Sequence, residues 1–213
     1  MEEIKIYDAN LKEIGVMERK EAHNIGAWHI TFHCWLVSPS SNSILFQLRS
    51  KDKKNYPDMF DISAAGHLLA SEKVNDGIRE VAEELGIDIN YEKLYSLGYR
   101  VEVDDQDNGQ KNREYQAVYM AKVEKKLDEF RPQVEEVAGL MWMHIPDALA
   151  LFSNQINSAT MTGIVYNGIT NQWEQETRIV TVKDFIPRIQ HYYLTMAIMG
   201  ERLLENKYPL ALS

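Results

Sequence analysis

Apolar and polar residues alternate, or β-branched and aromatic residues cluster, in six runs that predict strands: IKIYD (4–8), ITFHCWLV (30–37), SILFQLR (43–49), LYSLGYRVEV (94–103), EYQAVYMAKVE (114–124) and GLMWMHI (139–145). Segments rich in Ser, Asn, Asp and Gly separate them, such as SPSSNS and DDQDNGQKN. Asn108-Gly109 is a turn signal that predicts an antiparallel pair between 94–103 and 113–123. Helical spacing predicts three helices. The first covers 75–85, with Ile78, Val81, Ala82 and Leu85 on one face. The second is short, about 146–154. The third covers about 183–206, where Phe185, Ile189, Tyr192, Tyr193, Met196 and Leu203 recur. Residues 160–185 read as an extra hairpin around Asn167-Gly168. Strands mixed with few helices predict one α+β domain in αβα layers over 1–213, with a core at about 25–150 and a C-terminal extension at 151–213. That extension is read as structural, as a cover for a site, or as a contact between copies in a homodimer.

Composition narrows the class without choosing a chemistry. With 213 residues, 45% of them hydrophobic and 26% charged, the chain can bury one good core. A formal charge of −9 disfavours sequence-independent nucleic-acid binding, which needs cations to displace counterions. It suits an enzyme that meets an anionic substrate through a bound cation. No apolar run reaches membrane-spanning length, and the acidic, alternating MEEIKIYDANLKEIG is unlike a signal peptide. Cys34 is the only cysteine. It predicts a reduced, cytoplasmic protein in which the thiol is a small buried hydrophobe.

The sharpest feature is AAGHLLASEKVNDGIREVAEELGI, residues 64–87. Glu80, Glu83 and Glu84 share one side of a helix, and like charges at that spacing repel. Either the face is simply solvated, or the carboxylates gather a hard divalent cation, Mg²⁺ or Mn²⁺, that cancels the repulsion. Gly86 is placed as a left-handed C-terminal cap.

The same stretch resembles the Nudix hydrolases, whose box reads G-x5-E-x7-R-E-U-x-E-E-x-G-U, where U is a bulky aliphatic residue. Here Gly66, Glu72, Arg79, Glu80, Val81, Glu83, Glu84, Gly86 and Ile87 supply every specified residue type. One spacing departs: six residues, not seven, separate Glu72 from Arg79, which bears on Glu72 more than on the later glutamates. Ser71, Asn75 or Asp76 could cap the helix. The resemblance implies a Nudix fold and metal-dependent hydrolysis of a diphosphate joined to a group X, whether prenyl, nucleoside or another metabolite. The partner it implies is therefore a small-molecule diphosphate. It also implies Glu80, Glu83, Glu84 and the Gly66 carbonyl as metal ligands, and Glu72 and Arg79 as supports of the box. Glu83 and Glu84 are the catalytic carboxylates, and the general base is either a box glutamate or one of Glu135 and Glu136, with Glu136 favoured.

Over roughly 28–146, WHITFHCWLV, LFQLRSKDKKNYPDMFDISAAGHL and NREYQAVYMA look like the branch related to isopentenyl-diphosphate isomerase. The isomerases carry a catalytic cysteine before Gly-His, where this chain has Ala65, so isomerisation is not expected. That likeness implies a second metal site from His23, His29, His67 and Glu114, with Asn112 where another glutamate would stand. Imidazole donors favour Mn²⁺ or Zn²⁺. Arg49 is expected to contact phosphate, Lys51 and Lys54 to be solvated, and Trp28 or Tyr115 to line an X pocket. YPDMFD resembles a P-G-x-W-D turn, with Asp58 and Phe60 replacing glycine and tryptophan. The alternative to an enzyme is a catalytically weak Nudix domain used for ligand sensing or protein contacts.

Overall fold

The computed structural model describes residues 2–105 and 109–211. In chain order the first elements are β1 (Glu3–Tyr7), β2 (Glu13–Glu18), α1 (Arg19–Ile25), β3 (Trp28–Ser38), β4 (Ser43–Arg49), β5 (Phe60–Asp61), β6 (Ala64–His67) and α2 (Arg79–Leu85). There follow β7 (Tyr95–Asp105), β8 (Lys111–Lys122), β9 (Val137–His144), α3 (Ile145–Phe152), β10 (Ala159–Asn167), β11 (Gln172–Val180) and α4 (Tyr192–Leu204).

The fold is α+β. The strands join one mixed sheet in the order β11-β10-β9-β4-β3-β1-β2, and β3 is its hub. One edge of β3 pairs in parallel with β8 from His29↔Glu114 to Val37↔Lys122. The other pairs antiparallel with β6, at Phe32↔Gly66 and His33↔Ala65. This register sets the box glycine beside the middle of the hub strand. It also puts Glu114 level with His29.

Alternation along β3 divides the core. Phe32, Cys34 and Leu36 pack with Val81, Leu85 and Ile87 on the α2 side. Trp35 and Val37 pack with Ile145, Leu151, Tyr192 and Met196 on the α3–α4 side. Helices therefore cover both faces, as the residue pattern predicts. Cys34 is fully buried, and burial pushes its thiol up to about 12, which leaves it an unreactive apolar filler.

The structure revises several element boundaries. The helix expected at 75–85 begins as a 3₁₀ turn, Val74–Ile78, and becomes α-helical only at Arg79. The tighter turn rises more per residue and absorbs the missing residue between Glu72 and Arg79. Asp76 caps it, accepting the Lys73 N–H at 2.8 Å. The helix expected at 183–206 starts only at Tyr192. Pro187 disfavours helical geometry before it, and Gln190 and His191 adopt positive φ of 61° and 50°. Residues 185–191 instead run as a strap along the sheet, with Phe185 bridged to Phe60. The hairpin in the extension is present as β10–β11. The β7–β8 pair is also present, while Asn108 of its predicted turn lies outside the described residues. Short β2, β5, β6 and α1 have no signal of their own in the residue pattern.

Candidate active site

A cleft of about 1000 Å³ opens along β6, α2, β7 and the strap. Gly66, Glu72, Arg79, Glu80, Glu83 and Glu84 all line it. Arg79 ties the box together. Its guanidinium meets Glu72 Oε1 at 2.6 Å, Glu80 and Glu83 at 2.8 Å each, and the His67 carbonyl at 3.0 Å. Glu72 also accepts the Leu69 N–H at 2.7 Å, so the shortened loop still delivers it. Hydrogen bonding from Arg79 holds the Glu72 carboxyl below its ordinary range.

The three later glutamates have different environments. Glu83 is exposed, while Glu80 and Glu84 are each 9% exposed. Burial raises both buried carboxyls, Glu84 to about 8. Glu84 is partly compensated by the Ala65 N–H at 3.0 Å and the Gln47 amide at 3.3 Å. A Cβ at position 66 would overlap the Glu80 carboxylate, so that side chain would have to shift. Gly66→Ala is accordingly expected to push Glu80 aside and weaken Mn²⁺ binding at least about tenfold, measured by calorimetry. Gly86 takes φ 63° as the helix cap, with its N–H on the Ala82 carbonyl at 3.0 Å.

A second cluster forms beside the box. One donor atom from each of His23, His29, His67 and Glu114 lies within 4.8 Å of the others. His23 Nε2 and His67 Nε2 are 3.2 Å apart, close to the roughly 3.3 Å between two nitrogens that share one tetrahedral ion. His29 Nε2 is buried without a hydrogen-bond partner among the described residues, while its Nδ1 faces the Ala27 carbonyl at 2.9 Å. That backbone contact fixes the tautomer and leaves Nε2 a lone pair. Burial lowers His29, and lowers His67 strongly, so both rings are neutral and able to ligate. The donor set suits a divalent transition ion. α1 delivers His23 and Arg19, which no residue periodicity announced.

Around these groups, Glu136 lines the cleft and pairs with Lys53, whereas Glu135 is exposed. Arg49 also lines the cleft but braces its own loop, donating to the Asn55 carbonyl at 3.1 Å and lying 3.5 Å from Asp61. Lys53, half-buried, faces the cleft; Lys51 is exposed elsewhere and Lys54 is exposed at the rim. Burial and the nearby Arg49 charge lower the Lys53 ammonium. Asn112 lies on the cleft wall. Trp28 and Tyr115 stack on each other at 4.7 Å and are not among the lining residues. Asp58 takes φ 57°, a left-handed geometry that glycine adopts freely and aspartate tolerates. Lys53, His33, Glu102 and Arg188 are cleft residues that the sequence reading missed.

A mixed sheet thus lies between helices, and an Arg-braced glutamate helix opens onto a polar cleft. Comparison with protein-family models matches the NUDIX domain over residues 27–162. An uncharacterized Nudix hydrolase of Clostridium acetobutylicum is 33% identical over 194 residues, covering 89% of this chain and 92% of that protein. The isopentenyl-diphosphate Δ-isomerase of Saccharopolyspora erythraea is 27% identical over 144 residues, 67% of this chain and 72% of the isomerase. A crystal structure from Deinococcus radiodurans shares the fold at a TM-score of 0.56 with 16% identity, over 72% of this chain and 90% of that one. The chain belongs to the Nudix hydrolase family, enzymes that act on pyrophosphate linkages. Among the described residues, no helix is long and apolar enough to cross a membrane.

Proposed function

We propose that the protein hydrolyses the diphosphate of an X-linked diphosphate in a divalent-cation-dependent reaction. The observation that carries this reading is the buried Glu80–Glu84 pair, facing a cleft on a helix whose brace, Arg79, is intact. Two carboxylates sunk in protein beside one another are costly unless protonated or matched by positive charge.

Glu80, Glu83, Glu84 and the Gly66 carbonyl would hold one cation, Mg²⁺ or Mn²⁺, and His23, His29, His67 and Glu114 a second. Such ions neutralise diphosphate oxygens and lower the pKa of an attacking water. Lys53 and Arg49 contribute fixed positive charge on the facing wall of the cleft. Glu136, placed beside Lys53, is the residue proposed to take the proton from water. Arg79 holds the carboxylates in position and spends its donors on protein, which leaves the substrate to other cations. Ala65 stands where the isomerases have a thiol, and Cys34 faces the opposite side of β3, so no thiol serves an allylic proton transfer. The extension is proposed to belong to the same folded unit, because its strap lines the same cleft.

The test is phosphate release from a panel of nucleoside, sugar and prenyl diphosphates, with Mg²⁺, Mn²⁺ or EDTA. Cation-dependent release on at least one substrate, abolished in Glu83→Gln, is the expected result. Equal inertness of wild type and variant across the panel would leave a binding module instead.

A further inference from the structure

The wall of the cleft formed by β7, β8 and the strap has an inverted pattern. On β7, Tyr99, Val101 and Val103 are 40%, 37% and 43% exposed, whereas Arg100 and Glu102 are 6% and 3% exposed. The partner strand β8 continues the polar face with Gln116, fully buried, and β3 adds His33 at 3%. A chain that hides its charges and shows its valines needs a use for the hidden face.

Much of that face is internally satisfied. Arg100 lies over the Tyr192 ring at 4.3 Å, donates to Gln116 Oε1 at 2.6 Å and to the Ile189 carbonyl at 2.8 Å, and pairs with Glu102. Arg188 of the strap donates to Asp61 at 2.7 Å. Four hydrogen-bonding positions are left without a partner among the described residues, two of them the buried Nε atoms of Arg100 and Arg188. Glu102 makes its contacts through Oε2, and Oε1 has no hydrogen-bond partner among the described residues. His33 uses only Nδ1, 3.1 Å from the Tyr192 hydroxyl. That hydroxyl oxygen already accepts from Trp35 Nε1 at 3.0 Å, so its hydrogen is best placed by donation to His33 Nδ1. Nε2 of His33 then carries the ring proton and is a donor. Both residues line the cleft.

We propose that X is a hydroxyl-bearing group of the sugar type, recognised by Glu102 as acceptor and His33 as donor, and not a prenyl chain. The inference rests on the diphosphate reading above and assigns that substrate its second half. A prenyl tail would find its apolar contacts, Ala65, Leu69, Ile186 and Pro187, set among charged side chains. It would also cover the Glu102 carboxylate without offering it a hydrogen bond. Hydroxyls supply those bonds.

The experiment compares UDP-glucose and ADP-ribose with isopentenyl and geranyl diphosphates, using the full chain with Mn²⁺. Wild-type kcat/KM for the hydroxylated probes is expected to exceed that for the prenyl probes at least about 100-fold. In Glu102→Gln that ratio is expected to fall at least about tenfold. Equal or better turnover of prenyl diphosphates, or an unchanged ratio in a folded Glu102→Gln, overturns the inference while hydrolysis stands. If wild type cleaves none of the four, the hydrolase reading is judged on the wider panel above, and calorimetry decides this inference. Tighter binding of UDP-glucose than of geranyl diphosphate supports it; the reverse order overturns it.

Discussion

Glu84→Gln is expected to lower diphosphate hydrolysis about 10³-fold at saturating Mg²⁺ or Mn²⁺, with the fold retained. The side chain is buried and fixed by the Ala65 N–H and the Gln47 amide. Glutamine keeps the volume and can still accept from Ala65. It cannot supply charge to a cation, and its amide nitrogen would stand where Oε1 does, since Ala65 and Gln47 both donate to Oε2. Stopped-assay kinetics beside circular dichroism separate lost chemistry from lost structure.

The same substitution should flatten a pH dependence. Burial raises the Glu84 carboxyl from 4.5 to about 8. Below about pH 4.5 the group holds a proton in both folded and unfolded chains, so it has no effect. Between about 4.5 and 8 only the folded state keeps that proton, so the cation-free protein loses stability as pH rises through this window. A bound divalent ion displaces the proton. Calorimetry at pH 7 in buffers of different ionisation enthalpy is expected to show proton release on Mn²⁺ binding, with less in Glu84→Gln.

Arg79→Lys is the second large effect. One guanidinium, 29% exposed, joins Glu72, Glu80, Glu83 and the His67 carbonyl. A lysine ammonium has no planar fork and cannot meet these four partners together. The carboxylates would then face one another with their common counter-charge reaching fewer of them. The loss expected is about 2–4 kcal/mol in urea unfolding of the cation-free protein. Saturating Mn²⁺ should recover part of it, because a cation on the other side of the cluster relieves the same repulsion. A variant as stable as wild type without cation would mean that Arg79 is ornamental to the box.

The residue pattern made the central strands and the glutamate helix legible because the strands are runs of apolar residues and the helix carries a periodic buried face. β3, β4, β9 and α2 are of this kind. The box was legible for another reason: Gly66, Arg79 and the glutamates are constrained in type, by a close approach at Gly66 and a shared guanidinium at Arg79. The strap at 185–191 was not legible, since its apolar residues recur at helical spacing while Pro187 and the left-handed His191 forbid the helix. α1 was hidden because RKEAHNI has only Ala22 and Ile25 as apolar positions and so shows no helical stripe. The polar wall was hidden by symmetry. Alternation in YRVEVDD shows that β7 has two faces, but only the packing of α4 and the strap shows that the charged one is inside.

Mn²⁺-soaked crystals, measured at the manganese absorption edge, test the central claim most directly. The account predicts an anomalous peak about 2.2 Å from oxygens of at least two of Glu80, Glu83 and Glu84. Full data at millimolar Mn²⁺ with no peak anywhere along α2, and those carboxylates solvated only by water, would contradict it.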